Sequence, residues 1–394
     1  MGSLFDNRAT LYEDSKLSLR TELSSFSLPN TDISCLYSTD YLHVKSSLPV
    51  REINNELEFL ILVDNSSFVD LSESYLHLTC RITKGNGTDC DSNDFAAPSN
   101  LFFHLMFKNL EIYINGKCIS GSQNQYPYIA YINRLLSLPT SVKEAQLQNE
   151  LWYPNTTVES YEATSVGYKE RYDLAKNSQK FTMLGQIVSG LFLQKRWLGP
   201  GTEIRIVLRR NTPHFCIDNK ITETGADGSK VKLNYRFEID DAVFLVSRKP
   251  VSAKIMELHR SLLNKNETYI FVMPEAVVRT MYVPAGMTSI SSENLLIGQI
   301  PKLIILGMVK STAVGGVLTE SPVNFQHFNL SNVTISWNAD TLESRSIPLN
   351  FKSTTNTNPD DFLLGLHSLQ KCLADPLHQN GINRSNYTKG LYSI

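Results

Sequence analysis

Apolar and polar positions alternate along much of this chain, and the period is that of strands. Residues 75–82 put Leu76, Leu78 and Cys80 on one face and His77, Thr79 and Arg81 on the other, which predicts a half-buried strand. Residues 232–240 show the same alternation more cleanly. Leu233, Tyr235, Phe237 and Ile239 interleave with Lys232, Asn234, Arg236, Glu238 and Asp240, and one wet face is the mark of an antiparallel sheet. After the Gly199-Pro200-Gly201 turn, Ile204, Ile206 and Leu208 oppose Glu203, Arg205 and Arg209, while Val207 interrupts the polar side and predicts that it is partly covered. Residues 59–63 are apolar without a break, which predicts a strand buried on both faces. Asn115-Gly116 between two short apolar runs predicts a hairpin, because both turn positions need φ > 0.

Three segments take the helical period instead. Residues 126–138 gather Ile129, Ile132, Leu135 and Leu136 into a stripe that Pro139 stops, and they lie between strands as an insertion does. Residues 252–265 carry Ile255, Met256, Leu258, Leu262 and Leu263, and residues 361–372 carry Phe362, Leu363, Leu366 and Leu369. A second β series, at 269–273, 277–283, 303–309, 333–337 and 347–351, follows the middle helix. Strands, helix, strands, linker helix, strands, helix is nearly one pattern twice. It predicts an all-β protein of two antiparallel sandwiches with short inserted helices. The expected division is a Ser-rich arm at 1–35, a first sandwich at 36–250, a linker helix at 251–265 and a second sandwich at 266–394.

Composition narrows the picture. A chain of 394 residues suits two domains of ordinary size, and at that size roughly 75% of the unfolded surface is buried, so no disulfide or metal staple is needed. The net charge of −2 argues against a main task of neutralising phosphates. Cys35, Cys80, Cys90, Cys118, Cys216 and Cys372 form no C-x-x-C pair and are expected to be buried, reduced thiols. The first 20 residues have no apolar core of a signal peptide. The longest apolar run, near 303–309, is far short of the roughly 20 residues of a membrane span. A soluble protein made inside the cell and not secreted is expected. The sequons at Asn65, Asn86, Asn155, Asn266, Asn329, Asn332, Asn383 and Asn386 then read as chance.

Candidate chemistry adds little. There is no G-x-S-x-G, Walker, G-x-G-x-x-G or H-E-x-x-H motif. No catalytic, cofactor-binding or metal-ligating residue is assigned, and no enzyme is expected. His104 is expected to be a satisfied, partly buried histidine. Asp89, Asp91 and Asn93 resemble the start of a calcium loop but lack its turn glycine, terminal Glu and flanking helices. Asp240-Asp241, adjacent on a strand, face opposite ways and hold no ligand jointly. Asp360-Asp361 are expected to favour the start of the helix after them. Arg209-Arg210 and Arg248-Lys249 are expected to be solvated surface. A binding module, lectin-like or protein-interacting, would use the 89–94 loop, and a glycoside hydrolase would need two facing carboxylates in a cleft.

Four stretches resemble, in order, the double-jelly-roll major capsid proteins of Polinton (Maverick) elements and the related adintoviruses. They are residues 115–137 (NGKCISGSQNQYPYIAYINRLLS), 184–217 (LGQIVSGLFLQKRWLGPGTEIRIVLRRNTPHFCI), 292–309 with 321–330 (SENLLIGQIPKLIILGMV, SPVNFQHFNL) and, more weakly, 380–392 (NGINRSNYTKGLY). The resemblance implies a double jelly roll, two eight-stranded sandwiches side by side. It implies homotrimers whose nearly hexagonal outline tiles an icosahedral virion shell around double-stranded DNA. The partners implied are neighbouring copies and a penton or minor capsid protein, with nucleic acid reached at most through the shell interior and no small-molecule substrate. Assembly would take place inside the host cell, in nucleus or cytoplasm. Aromatic loops such as 151–161 are candidate interface contributors. The family pattern continues for several strands beyond its N-G-x-x-R-x-x-Y region, so the second sandwich is expected to lack its last strands and the chain to be less stable than a longer version.

Overall fold

The computed structural model describes residues 40–50, 56–92, 94–155, 165–219, 223–224, 230–231, 234–292, 301–315, 320–337, 343–351, 362–372 and 380–388. Among the described residues twelve strands occupy the first part: β1 (Asp40–Lys45), β2 (Glu56–Leu62), β3 (Ser67–Lys84), β4 (Ala96–Pro98), β5 (Phe107–Ile114), β6 (Lys117–Gly121), β7 (Phe181–Gly185), β8 (Glu203–Arg210), β9 (Ile217–Asn219), β10 (Glu223–Thr224), β11 (Lys230–Val231) and β12 (Tyr235–Pro250). β4–β9 and β10–β11 are short side pairs. The other eight make two antiparallel sheets, β1-β12-β3-β7 and β2-β8-β5-β6. Counted one to eight along the chain, these are the orders 1-8-3-6 and 2-7-4-5. That strand order is a jelly roll, two Greek keys closed into facing sheets.

The alternation read from sequence sets the inner faces. Leu76, Leu78, Cys80 and Ile82 of β3, with Tyr235, Phe237 and Ile239 of β12, face Leu57, Phe59 and Ile61 of β2 and Ile204, Ile206 and Leu208 of β8; all are buried in one core. Phe59 and Phe244 meet across the sheets with ring centroids 5.6 Å apart. β12 changes phase on the way: its buried apolar residues are Tyr235, Phe237 and Ile239, then Ala242, Phe244 and Val246. A register shift between Ile239 and Asp241 makes the change, since one extra residue in a strand moves every later side chain to the other face. Asn115 (φ 48°) and Gly116 (φ 78°) form the expected hairpin turn. Val207 is buried as expected.

Two expectations change. β2 is buried on one face only, with Leu60 41% and Leu62 62% exposed. It is an edge strand, so an unbroken apolar run does not require two covered faces. Among the cysteines, Cys80, Cys90, Cys216 and Cys372 are buried and free, but Cys118 is exposed on the edge strand β6; Cys35 lies outside the described residues.

Between β6 and β7 the chain leaves the sandwich for a helical insertion. The helix Tyr126–Ser137 buries Tyr126, Pro127, Ala130, Tyr131, Arg134, Leu135 and Leu136, positions three and four apart that share a face. The helix Val166–Ala175 packs beside β4. After β12 come the helix Ala253–Asn264 and, among the described residues, a stretch without strands that contains the short helix Ser311–Val314. β13 (Asn332–Trp337) and β14 (Glu343–Pro348) pair as an antiparallel hairpin. The helices Leu363–Lys371 and Arg384–Thr388 follow. The expected strand at 347–351 is therefore shifted to Glu343–Pro348. Segments 269–273, 277–283 and 303–309 belong to no ladder among the described residues. Alternation tells which way side chains face; a ladder also needs a neighbour beside it.

Candidate functional site: the junction of the two halves

The most elaborate side-chain chemistry lies where the helical insertion meets the first sandwich. Leu101–Met106 turns into β5 through the short helix Phe102–Leu105, which places His104 inside the protein, fully buried. His104 Nε2 lies 3.0 Å from Glu150 Oε2 and Nδ1 lies 2.9 Å from the Tyr126 hydroxyl. A carboxylate accepts, so Nε2 carries the hydrogen and Nδ1 accepts from Tyr126. The Tyr126 oxygen in turn accepts from the Val188 N–H at 3.3 Å. The chain of bonds is complete with a neutral imidazole, and burial holds the His104 pKa below its usual value. Arg134 donates to both Glu150 oxygens, Nη2 at 2.8 Å and Nε at 3.1 Å, and also to the Gln186 carbonyl at 2.9 Å. Burial pushes the Glu150 carboxyl up, but the charges and donors around it win, and it ionises below the normal range. With His104 neutral, Arg134 is the cation that matters.

A second fully buried ion pair ties the insertion to the short β4–β9 ladder. Arg171 Nη2 meets Asp218 Oδ2 at 3.2 Å, while Nε donates to the Pro98 carbonyl at 2.7 Å and Nη1 to the Tyr153 carbonyl. The other Asp218 oxygen accepts from Ser99 Oγ at 2.6 Å. Lys143 is also buried. It donates to the Leu135 carbonyl and, at 2.8 Å, to the Asn380 carbonyl. Burial pushes its pKa down to about 8.

Lys143 marks the join to the C-terminal half. A separate apolar core forms there from Tyr131, Leu135 and Leu136 of the insertion, Val323 and Phe325, Phe362 and Leu366, and Ile382 and Tyr387. The four stretches that resemble capsid proteins converge on this region. The first supplies Tyr126, Tyr131, Arg134 and Leu135; the second supplies Gly185, Gln186 and Val188; the third and fourth supply Val323, Phe325, Asn380, Ile382 and Tyr387. A Cβ at Gly185 would lie 2.7 Å from the Phe103 ring and 2.8 Å from Glu150 Cγ, so that glycine lets β7 approach the buried carboxylate.

Sequence reasoning anticipated His104 and missed its partners. Glu150, Arg134, Arg171, Asp218 and Lys143 are charges in otherwise apolar surroundings, and Arg134 within the Ile129–Leu136 stripe was the one visible signal. The Asp89–Asp94 loop is strapped down by cations: Lys84 Nζ lies 3.0 Å from Asp91 and 2.9 Å from Asp94, and Arg81 lies 3.8 Å from Asp89. Asn93 and Asp360-Asp361 are outside the described residues. Asp240, at the β12 register shift, pairs with Lys180 at 2.9 Å. Arg209 meets Glu56 and Glu111 and Arg248 meets Asp40 and Asp64 near the surface, but their neighbours are not the solvated surface expected: Arg210 is half-buried and donates to the Val50 carbonyl, and the largely buried Lys249 pairs with Glu73. Leu151 and Trp152 are buried within the protomer, which removes them from the expected outer interface; residues 156–164 are not described. Among the described residues no group of His, Cys, Asp and Glu is arranged to hold a metal ion, and no helix is long and apolar enough to cross a membrane. Large apolar side chains are exposed on and after the linker helix, including Leu258, Ile270, Val272, Tyr282 and Leu303.

No protein-family model matches the chain. An uncharacterized protein of Caenorhabditis elegans is 22% identical over 303 residues, 75% of this chain and 69% of that protein. Among solved structures, a chain of the Sputnik virophage is 10% identical with a TM-score of 0.43, covering 63% of this chain and 54% of its own. The mavirus major capsid protein is 14% identical with a TM-score of 0.36, covering 63% and 55%. A chain of the PBCV-1 virus capsid is 9% identical with a TM-score of 0.37, covering 59% and 46%. The match thus spans about half the length of each of these viral chains. The all-β fold with antiparallel sheets and short inserted helices is the one expected, and its jelly-roll assignment rests on strand order.

Proposed function

We propose that this chain is a structural major capsid protein of the Polinton and adintovirus kind, with no catalytic step. The observation that carries the reading is the convergence of the four capsid-like stretches on one junction beside a jelly roll. Segments scattered over nearly 280 positions meet in space and supply its buried bonds and its apolar core. In this reading residues 36–250 are the first jelly roll, 251–265 the linker helix and 266–394 belong to the second. Two halves joined by a shared apolar core and by the buried Lys143 bond to the Asn380 carbonyl make a stiff prism. A prism suits a block that transmits load through a shell.

Three such prisms close a ring through one heterologous contact used three times. Permanent interfaces of this kind bury about 2,000–5,000 Å² and are apolar at the centre, and the apolar surface after the linker helix is of suitable character. The trimers tile a virion shell assembled in the host cell, with a penton or minor capsid protein at special positions. Light scattering and electron microscopy of the purified protein test the proposal. The expected particle has three times the 44.4 kDa chain mass and a nearly hexagonal outline. A monomer at every concentration and salt would sink it and favour a host-retained binding module.

A further inference from the structure

The helix Ala253–Asn264 and the segment 268–273 lie side by side beyond the end of β12, and a cleft of about 480 Å³ opens between them. Its floor is apolar, built from Phe68, Trp197, Val251, Ile255 and Phe271. Its rim carries Lys195, Arg196 and His259. No Asp or Glu is among the described residues that line it. The cations therefore face the cleft without a carboxylate of their own.

One wall is the segment 268–273, which belongs to no ladder among the described residues. Phe271 and Met273 pack onto the jelly-roll core, while Ile270 and Val272 between them are 66% and 78% exposed. Over these four residues the exposure alternates, as it does in an extended chain with one face down. Among the described residues, 268–273 make no backbone–backbone hydrogen bond. The Ile270 carbonyl accepts from Arg196 Nη1, so this edge of the strand looks into the cleft. In an extended chain the N–H and C=O of one residue point to the same side, which leaves the Ile270 N–H facing the cleft as well. Arg196 keeps its other guanidinium donors for an anion.

We propose that this cleft binds an extended peptide of a partner protein, rich in Asp or Glu and in apolar residues, which adds as a strand to the edge at Ile270 and sets its carboxylates on Lys195 and Arg196. Strand addition uses all three observations: main-chain bonds at the free edge, apolar side chains on the aromatic floor, and charge complementarity at the rim. Single-stranded nucleic acid would use the rings and the cations but not the backbone edge, and it would meet a chain of net charge −2. The proposal is independent of the capsid reading, since a host protein with this cleft would bind the same peptide.

Fluorescence anisotropy of a labelled short peptide alternating Glu with Val and Phe tests this on the full chain, beside the same peptide with Lys for Glu and a short oligothymidylate. The acidic peptide is expected to bind saturably and about tenfold more tightly than the lysine peptide, the gap narrowing as salt is raised. Lys195→Glu is expected to weaken it about tenfold, and Ile270→Pro, which removes the free N–H at an exposed position, by a similar factor. Both positions are exposed, so the thermal midpoint is expected to stay put, and an unchanged midpoint shows that a loss of binding is local. No saturable binding up to about 1 mM overturns the proposal. So does binding that neither substitution alters, which would place the peptide elsewhere on the apolar surface. An oligothymidylate that binds more tightly than the acidic peptide would overturn it in favour of nucleic acid.

Discussion

Replacing Arg134 by Met keeps the length and apolar stem of the side chain and removes the cation that neutralises Glu150. The pair is held at 2.8 Å and 3.1 Å, and both residues are buried. At an effective dielectric constant near 20 the gross attraction at the shorter distance is about 6 kcal/mol. Part of that offsets desolvation, and breaking a buried pair on one side costs about 3–5 kcal/mol. For a protein of this size that lowers the thermal midpoint by about 4–6 °C. Acidity gives the loss a signature. In the wild type the Glu150 carboxyl titrates below its ordinary value of 4.5, so its contribution is complete above that value and is lost as pH falls through the lower, folded one. Without Arg134, burial dominates and the folded carboxyl takes up its proton at a higher pH. The variant's deficit is then greatest at about pH 8 and shrinks toward about pH 5. His104, whose pKa burial lowers in the folded protein with a contribution from the Arg134 charge, also costs stability as pH falls below its ordinary value of 6.5; without Arg134 that cost is smaller, which narrows the gap on acidification in the same direction. Urea titrations of both chains across that range measure the gap. A deficit under about 1 kcal/mol at neutral pH, or one that stays constant on acidification, would refute the assignment of Arg134 as the counter-charge.

Two further outcomes follow from the packing. Phe362 is fully buried and stacks on Phe351 at 5.5 Å, with Tyr387 at 5.9 Å, so Phe362→Ala is expected to cost about 3–5 kcal/mol, as large-to-small core changes do. The loss falls on the C-terminal core, and limited proteolysis should release that half while the jelly roll persists; an unchanged cleavage pattern would count against a separate second core. In the native protein, a maleimide is expected to label Cys118 quickly and to spare Cys80 and Cys216, whose thiols burial pushes up. Peptide mapping that finds Cys80 or Cys216 labelled as fast as Cys118 would mean that the sandwich is open.

Much of the jelly roll was legible because its strands carry one wet face. Residues 75–82, 204–208 and 235–239 each announce a buried side, and the Asn115-Gly116 turn announces its own geometry. What hid was irregularity. β12 was read only as far as Asp240 because the register shift there reverses the pattern, and the first half of β3 was missed where it departs from simple pairing, between Asp70 and Tyr75 opposite Leu245 and Ser247. The buried ion pairs were hidden for another reason. Arg134 finds Glu150 16 positions away and Arg171 finds Asp218 47 positions away, and no local spacing encodes either meeting. The resemblance located the segments that matter at the junction; it took their coordinates to show that they touch.

The strand order has a consequence for how the protein is made. β1 pairs with β12, and Asp40 meets Arg248 across a sequence separation of 208 residues. β12 also lies between β1 and β3. A ribosome adding about 5–20 residues per second needs roughly 10–40 s to go from the first of these strands to the last. Until β7 is made β3 has no neighbour in its sheet, and from then until β12 it has one instead of two. Pairings of such high contact order close late and slowly. The nascent chain therefore has a long interval in which its apolar strands are open to other chains, and its yield in a cell will depend on what shields it until residue 250 has left the exit tunnel.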